Sequence, residues 1–191
     1  MIKNLNEYIV KFDKMIPTDI CKKSVSEIKK LKTWQTHTFY NNVKEAREKR
    51  SGNQELSTVY HLSPTDKILK EITYKAIYEY VKLLKMPWFS SWKHYTQLRY
   101  NRYSSKNKSK MAQHCDHIHS IFDGTYKGIP ILSIVGNLNQ NYKGGDFIMF
   151  NDTKIPLGEG DILIFPSIFL YPHRVDPVIK GERYSFVSWV F

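Results

Sequence analysis

The sequence contains few cysteines and no long apolar run, and each shortage excludes a class of protein. Cys21 and Cys115 are the only cysteines, so no disulfide framework is expected and a reducing compartment fits. Residues 1–17 scatter charges among their apolar positions and lack the apolar core of a secretory signal. The longest apolar stretch, residues 162–172, is too short to cross a bilayer and contains Pro166. We therefore expect a soluble cytoplasmic protein without a membrane partner, or one of the host cytoplasm if a phage encodes it.

Acidic residues are also scarce relative to basic ones. The chain has 18 Asp and Glu against 29 Lys and Arg, which gives a formal charge of +11. Such an excess suits an acidic partner such as nucleic acid. It equally suits a general compositional bias, because only residues 106–110 form a local basic cluster. Hydrophobic residues make up 41% of the chain, which is enough for a packed core and argues against disorder.

Helical periodicity dominates residues 1–90. Thr18 and Asp19 can cap a first helix. A second helix is predicted at residues 64–84, because a capping pattern precedes apolar residues that recur at 3.6-residue spacing. Residues 41–56 between the helices are polar and are expected to form an exposed loop or short helix that could move. The predicted core positions of the second helix are Ile68, Leu69, Ile72, Ala76, Ile77, Tyr80 and Leu83.

After residue 90 the sequence changes to short apolar segments separated by glycine-containing turns. Strands this short and this numerous are typical of a sandwich or jelly roll rather than of a parallel α/β sheet. We therefore predict an α+β fold with a mainly β core. A double-stranded β-helix (a cupin-like jelly roll) spans residues 91–191, and the helices of residues 1–90 support it from outside one sheet, all within a single domain. The predicted strands are residues 94–103, 130–138, 146–150, 161–165, 170–175 and 183–191.

Two histidines and a carboxylate form a candidate metal centre. In an extended strand, residues two apart point to the same face, so His114 and Asp116 can converge while Cys115 points away. Together with His173 they provide two imidazoles and one carboxylate. This ligand set is the usual way to hold Fe(II) with coordination positions left open for a co-substrate and O₂.

The histidines next to this motif offer a second arrangement. His114, His117 and His119, with Cys115, could hold zinc. However, no paired cysteine motif accompanies them, and three ligands from six consecutive residues would crowd one ion. The sequence therefore favours the iron site.

An arginine ten residues after His173 suggests a co-substrate. A turn lies between His173 and Arg183, so we expect them on neighbouring antiparallel strands, with His173 opposite Ser185 and Val175 opposite Arg183. This register places His173, Arg183 and Ser185 on one face, with His173 and Arg183 roughly 7 Å apart. A five-carbon dicarboxylate could then chelate iron at one end and reach Arg183 at the other. Ser185 would add a neutral hydrogen bond.

Several motifs occur in an order that resembles a known family. The resemblance is to the 2-oxoglutarate/Fe(II) dioxygenases, in the prolyl 4-hydroxylase branch, and especially to small phage and bacterial hydroxylases of the PKHD type. It covers about residues 95–191 and does not extend to the helical half. The motifs are His114-Cys115-Asp116, Gly144-Gly145-Asp146-Phe147, residues 160–167, Pro172-His173-Arg174-Val175, Gly181-Glu182-Arg183-Tyr184 and Trp189.

The resemblance implies roles for individual residues. His114, Asp116 and His173 would be the iron ligands, and Arg183 would bind the distal carboxylate of 2-oxoglutarate. Tyr103 matches a tyrosine that commonly lines the co-substrate pocket in this family.

Other implied roles concern polar and aromatic contacts. Ser133 and Asn137 share one face of a predicted strand and fall where family members contact 2-oxoglutarate. Asn137 stands where a tyrosine is often found. Trp189, six residues after Arg183, would border the pocket on the substrate side.

The resemblance also implies the reaction. Fe(II), 2-oxoglutarate and O₂ would be required, with ascorbate as a candidate reductant, and succinate and CO₂ would be released as a substrate C–H is hydroxylated. The expected substrate is a prolyl or similar residue of a peptide or protein. Residues 104–113, 117–127 and 41–56 are the polar segments expected to frame it.

Two alternatives remain at this point. The first is a nucleic acid or free amino acid substrate. Nucleic-acid demethylases of the superfamily tend to carry a second arginine shortly after the carboxylate-binding one, and residues 184–189 contain none. The second is a non-catalytic metal-binding jelly roll. The presence of all three ligands and of Arg183 argues against it.

Overall fold

Two antiparallel sheets face each other in the computed structural model, which describes residues 4–41, 44–86, 92, 94–116 and 130–191. The helices are α1 (Thr18–Lys29) and α2 (Pro64–Leu84). The strands are β1 (Val10–Phe12), β2 (Gln35–Thr36), β3 (Phe39–Asn41), β4 (Ala46–Glu48), β5 (Ser57–Tyr60), β6 (Arg99–Ser104), β7 (Met111–His114), β8 (Leu132–Asn137), β9 (Lys143–Gly144), β10 (Phe147–Met149), β11 (Thr153–Ile155), β12 (Ile162–Pro166), β13 (His173–Val175), β14 (Val178–Lys180) and β15 (Glu182–Val190).

The strand order is that of a jelly roll. The larger sheet has seven strands in the order β1-β12-β8-β15-β6-β5-β2, and the smaller has four in the order β11-β10-β13-β7. Two short ribbons, β14-β9 and β3-β4, connect or flank them. The predicted double-stranded β-helix is confirmed.

The apolar residues divide into two layers, and β8 shows why. Its side chains alternate between the two faces of the sheet, as expected for a strand. Ile134 belongs to the cluster beneath the helices, which includes Ile77 and Tyr80 of α2. Val135 belongs to the cluster between the two sheets, with Phe147 of β10. The helices therefore cover the outside of the larger sheet, as predicted, and the inner layer surrounds the candidate site.

The second helix has the predicted bounds. Ser63 caps it by accepting a hydrogen bond from the backbone N–H of Asp66, and Lys85 in the left-handed region follows its last residue. Of the predicted core positions, Leu83 is wrong: it is 55% exposed, and Leu84 is buried instead. In the last turn of α2, the buried position is therefore one residue later than the apolar periodicity predicts.

Other predictions for the N-terminal half need correction. The first helix begins at Thr18, but its cap is Pro17 and no side chain makes a capping bond. Residues 41–56 include the predicted short helix, a 3₁₀ helix at Gly52–Gln54, and also β4, which was not predicted. Strands β1, β2 and β5 extend the larger sheet. These strands are two to four residues long and are stabilised by pairing with distant strands, so periodicity does not reveal them. The single-domain assignment stays a prediction.

In the described part of the chain, neither helix has the length and apolar character needed to cross a membrane.

Candidate active site

Three side chains converge at one edge of the smaller sheet. His114 ends β7 and His173 begins β13, and the two residues are paired across these neighbouring strands. Asp116 lies in the bend that follows β7. Nε2 of His114 lies 3.4 Å from Oδ1 of Asp116, and Nε2 of His173 lies 3.8 Å from Oδ2. The ligand atoms of all three residues lie within 4.8 Å of one another, which suits a single metal ion.

Backbone carbonyls orient the two imidazole rings. Nδ1 of His114 lies 2.8 Å from the carbonyl oxygen of Ala112, and Nδ1 of His173 lies 3.1 Å from that of Tyr171. An Nδ1–H that donates to a carbonyl leaves the Nε2 lone pair free for a metal. Both Nε2 atoms face Asp116, so the rings are preset as metal ligands.

The charges of the site favour the ligand forms of these groups. Burial, helped by the neighbouring His114, lowers the pKa of His173 to about 4, so its imidazole is neutral at pH 7. Burial by itself would raise the pKa of Asp116, but His173, His114 and a hydrogen bond from Ser133 hold that pKa well below its usual range. A neutral imidazole and an ionised carboxylate are the forms that bind a metal.

Asp116 is also held from the opposite sheet. Ser133 of β8 donates a 2.6 Å hydrogen bond to Oδ2 of Asp116 and lies 2.8 Å from the hydroxyl of Ser167. The strand-parity argument placed Asp116 in an extended strand, which is wrong in detail because β7 ends at His114. The bend still brings the two side chains together. Cys115 points elsewhere, as predicted, and its thiol donates to the carbonyl of Phe169.

The zinc alternative depends on His117 and His119, which lie outside the described residues. The same is true of residues 117–127, which were expected to frame the substrate.

A cavity opens from the metal-ligand cluster towards the larger sheet. Its floor is the inner face of β6 and β15, where Tyr103 pairs with Arg183 and Asn101 pairs with Ser185. Its walls include apolar residues from both sheets. The lining residues are Arg99, Asn101, Tyr103, Met111, His114, Asp116, Val135, Phe147, His173, Val175, Arg183, Ser185, Val187 and Trp189.

Arg183 is the most deeply buried charged residue of this cavity, with 1% of its surface exposed. Its guanidinium lies 5.1 Å from the ring centroid of Tyr103. Nε and Nη2 of Arg183 and the hydroxyl of Ser185 have no hydrogen-bond partner. Buried donors without partners are costly and call for a ligand that satisfies them. A carboxylate fits this need, so the residues present suit a metal-bound dicarboxylate.

The glycine pair in the sequence motif makes room for this arginine. Gly145 has a φ of +67°, which favours glycine, and a Cβ there would lie 3.2 Å from Cδ of Arg183. A larger residue would push the arginine aside. The motif thus shapes the far end of the cavity.

The predicted pairing of His173 with Ser185 and of Val175 with Arg183 is wrong. Strand β13 pairs with β10 and β7, whereas β15 pairs with β6 and β8 in the other sheet. The intervening β14 pairs with β9, so the chain crosses from one sheet to the other instead of forming a simple hairpin. His173 and Arg183 therefore meet across the cavity rather than along one strand pair.

The remaining predicted residues have different surroundings. Tyr103 and Trp189 line the cavity, whereas Ser133 and Asn137 are not among its lining residues. The amide nitrogen of Asn137 lies 2.8 Å from the carbonyl of Asn139 and 3.1 Å from that of Gly158, so it supports neighbouring turns. Contacts of Ser133 and Asn137 with 2-oxoglutarate stay predictions.

Sequence reasoning missed two polar residues of the cavity. Arg99 and Asn101 precede Tyr103 by four and two residues on β6 and share its face. The alternation that placed Tyr103 could have identified both, because every second residue of a strand faces the same side.

Comparison with known proteins agrees with this site. Residues 98–191 match the sequence model of the 2OG-Fe(II) oxygenase superfamily. A PKHD-type hydroxylase of Idiomarina loihiensis is 39% identical over 54 residues, which is 27% of this chain and 24% of the relative. A PKHD-type hydroxylase of Delftia acidovorans is 30% identical over 99 residues, 48% of this chain and 41% of the relative. The chain thus spans about a quarter to two fifths of these relatives.

Solved structures share the whole fold. The viral collagen prolyl hydroxylase of Paramecium bursaria chlorella virus-1, solved as a 2OG complex, superposes with a TM-score of 0.68 at 16% identity, covering 96% of this chain and 94% of that one. A prolyl hydroxylase of Trichoplax adhaerens, in complex with a peptide fragment of hypoxia inducible factor, gives 0.72 at 15% identity, covering 98% and 85%.

The fold and the site together are those of an oxygenase-type jelly roll with a candidate metal centre. Residues 98–191 match the 2OG-Fe(II) oxygenase superfamily, and the chain is similar to PKHD-type hydroxylases in sequence and to prolyl hydroxylases in fold. The resemblance found in the sequence is confirmed.

Proposed function

We propose that this protein is a Fe(II)- and 2-oxoglutarate-dependent oxygenase that hydroxylates a prolyl or similar residue of a peptide or protein, releasing succinate and CO₂. The observation that carries the proposal is that one cavity contains both the cluster of His114, Asp116 and His173 and the guanidinium of Arg183, whose Nε and Nη2 have no hydrogen-bond partner. An iron site and a carboxylate site are both needed for this reaction, and here they are adjacent.

His114, Asp116 and His173 would hold the iron. When bound, Fe(II) would supply the activation of O₂ and the oxidation of the C–H bond. The carbonyls of Ala112 and Tyr171 orient the two imidazole rings so that each Nε2 faces the metal position. Ser133 fixes the position of the Asp116 carboxylate. These contacts preset the ligands before metal arrives.

Arg183 would bind the distal carboxylate of 2-oxoglutarate. Its unpaired Nε and Nη2 and the hydroxyl of Ser185 offer donors at the far end of the cavity. Val135, Phe147 and Val175 line the space between this end and the metal ligands. Such apolar walls exclude water, which strengthens the ion pair and protects the reaction from solvent.

The substrate class is supported by similarity. The related chains are named hydroxylases of the PKHD type, and the Trichoplax adhaerens prolyl hydroxylase, which shares the fold, was solved in complex with a peptide fragment. We therefore propose a peptide or protein substrate ahead of nucleic acid or a free amino acid.

Succinate release tests the function. Purified protein with Fe(II), 2-oxoglutarate and ascorbate is incubated with proline-containing peptides, free amino acids or oligonucleotides, and products are examined for a mass gain of one oxygen atom. His173→Ala abolishes turnover if the proposal holds, and His61→Ala, which changes a histidine outside the cluster, retains it. Wild-type turnover in His173→Ala would refute the iron site, and a product found only among the oligonucleotides would refute the peptide assignment.

A second measurement separates an enzyme from a binding module. Under anaerobic conditions, Fe(II) and 2-oxoglutarate bound together should give a visible metal-to-ligand charge-transfer band. Lack of the band, with metal binding intact, would favour a non-catalytic jelly roll.

A further inference from the structure

A second arginine lines the cavity at the end opposite Arg183. Arg99 begins β6 and shares a face with Tyr103, four residues further along the strand, which corresponds to about 13 Å. The guanidinium of Arg99 lies 4.9 Å from the ring centroid of Trp189, whereas that of Arg183 lies 5.1 Å from Tyr103. The two cations are therefore directed to opposite ends of the cavity floor.

The Arg99 end is the end next to the metal ligands. Trp189 is paired with Ser133 across β15 and β8, and Ser133 donates its hydrogen bond to Asp116. The terminal carbons of a five-carbon dicarboxylate are separated by roughly 5 Å. A 2-oxoglutarate with its distal carboxylate on Arg183 and its 2-oxo acid end at the metal ligands would have no carboxylate left for Arg99.

The charges of the cavity leave Arg99 uncompensated. Among the described residues that line it, the charged ones at neutral pH are Arg99, Asp116 and Arg183. The net charge is zero for the set formed by a divalent metal, the dianion of 2-oxoglutarate, Asp116 and Arg183. Asp116 attracts Arg99 electrostatically, but its ion-pair contacts are with His114 and His173 and its charge is already counted with the metal. With metal and 2-oxoglutarate bound, the positive charge of Arg99 would therefore have no further counter-ion within the described part of the chain.

The donors of this end also lack acceptors. Nε of Arg99 and Nε1 of Trp189 are buried and have no hydrogen-bond partner. The indole face restrains the guanidinium plane, which reduces the entropy that a ligand must overcome. A planar, restrained guanidinium is suited to bidentate binding of a carboxylate.

We propose that Arg99, together with Trp189, binds a carboxylate of the substrate. The enzyme would then select an acid, either an acidic side chain or a free terminal carboxyl group close to the carbon that is oxidised. This inference rests on the proposed function, because it takes the Arg183 end to be filled by 2-oxoglutarate. It makes Arg99 a specificity-determining residue rather than part of the co-substrate site.

Matched acid and amide ligands test the proposal. Short proline-containing peptides are prepared in pairs, with a free or an amidated C-terminus and with Asp or Asn next to proline. Their binding to protein loaded with Mn(II) and 2-oxoglutarate under argon is measured by titration calorimetry. Wild type should bind the best acid roughly tenfold to a hundredfold more tightly than its amide, the range expected for hydrogen bonds to a charged group.

Variants locate the effect. Arg99→Gln should remove the preference for the acid, and Arg99→Lys should retain part of it. Arg102→Gln is the matched control, because Arg102 lies on the same strand but its guanidinium is 4.8 Å from the ring of Trp34, outside the cavity. This control should keep the preference. Circular dichroism and thermal melting show whether each variant is folded. If Arg99→Gln is not folded, the loss of acid preference is measured with Arg99→Lys instead.

Three outcomes would overturn the proposal. In the first, wild type binds acids no better than amides. In the second, Arg99→Gln keeps the preference. In the third, Arg99→Gln weakens 2-oxoglutarate binding as much as Arg183→Gln does, which would assign Arg99 to the co-substrate. Failure of wild type to bind 2-oxoglutarate would refute the proposed function instead, and the acid preference could still be measured with Mn(II) alone.

Discussion

The hydroxyl of Ser133 on the larger sheet donates a 2.6 Å hydrogen bond to Asp116, in the bend that follows strand β7 of the smaller sheet. This contact links a candidate metal ligand to the opposite wall of the jelly roll. Ser133→Ala should weaken metal binding roughly tenfold to a hundredfold, because the carboxylate loses the partner that orients it. Anaerobic titration with Fe(II) or Mn(II) measures the change.

A second serine provides the control for this variant. Ser188 is fully buried on β15 and donates a 2.8 Å hydrogen bond to the carbonyl of Thr96, away from the metal ligands. Ser188→Ala should lower stability but leave metal affinity unchanged. Equal loss of metal affinity in both variants would show that the Ser133 effect is general destabilisation.

Arg183→Gln should reduce the affinity for 2-oxoglutarate by roughly a hundredfold to a thousandfold, because a buried carboxylate would lose its counter-charge. Metal affinity should stay near the wild-type value, since Arg183 makes no contact with the three ligand side chains within the described residues. Titrating 2-oxoglutarate into the anaerobic Fe(II) protein and following the charge-transfer band gives the affinity. Arg174→Gln, which breaks a 3.0 Å ion pair with Asp176, is the control. The carboxylate-binding role fails if both variants bind 2-oxoglutarate equally.

Gly136→Ala should destabilise the protein by about 1–3 kcal/mol or more through overpacking. A Cβ at Gly136 would lie 2.2 Å from ring atoms of Phe186, its neighbour on β15. Urea denaturation measures the loss. Combining the change with Phe186→Leu should cost less than the sum of the two single changes, because the smaller side chain makes room. Strict additivity would contradict the proposed clash.

His37 should make stability depend on pH. Burial, helped by Arg99 and His114, lowers its pKa from 6.5 to about 3. Below pH 6.5, His37 binds a proton in the unfolded chain but stays neutral in the folded protein. The free energy of unfolding therefore decreases as the pH falls from about 6.5 towards about 3. Above pH 6.5 this group does not affect it. Denaturation of metal-free protein across this range measures the slope.

His37→Phe should make that slope shallower by up to one proton, because phenylalanine cannot titrate. The aromatic ring preserves the edge-to-face contact with Phe39, whose centroid lies 4.7 Å from that of His37. An unchanged slope would mean that His37 is protonated in the folded state.

Several parts of this structure follow from local sequence. Helix α2 could be predicted because capping and apolar periodicity are both encoded within it. The metal ligands His114 and Asp116 are two residues apart, so almost any extended or bent backbone brings them together. The choice of His173 and Arg183 came from the ligand set and from their spacing, was supported by the resemblance to a known family, and agrees with the cavity that contains both residues.

Other parts depended on contacts between distant residues. The strand partners of His173 and Arg183 were decided by β14, which pairs with β9 and carries the chain between sheets. No local pattern records such a crossing, because strand pairing depends on which edges the rest of the fold leaves available. The same reason hides β1, β2 and β5, which are stabilised by their neighbours rather than by their own composition.

The sequence by itself determined the chemistry of the site, because ligand identity is a property of side chains. Only the tertiary structure decided the environment of those side chains. Ser133 donates a hydrogen bond to Asp116 and does not line the cavity. The guanidinium of Arg99 lies over the ring of Trp189, at the end of the cavity opposite Arg183. Charge and hydrogen-bond balance can be assessed only once the cavity is closed by both sheets. The candidate iron ligands could therefore be predicted from the sequence, and the arginine that shares their cavity could not.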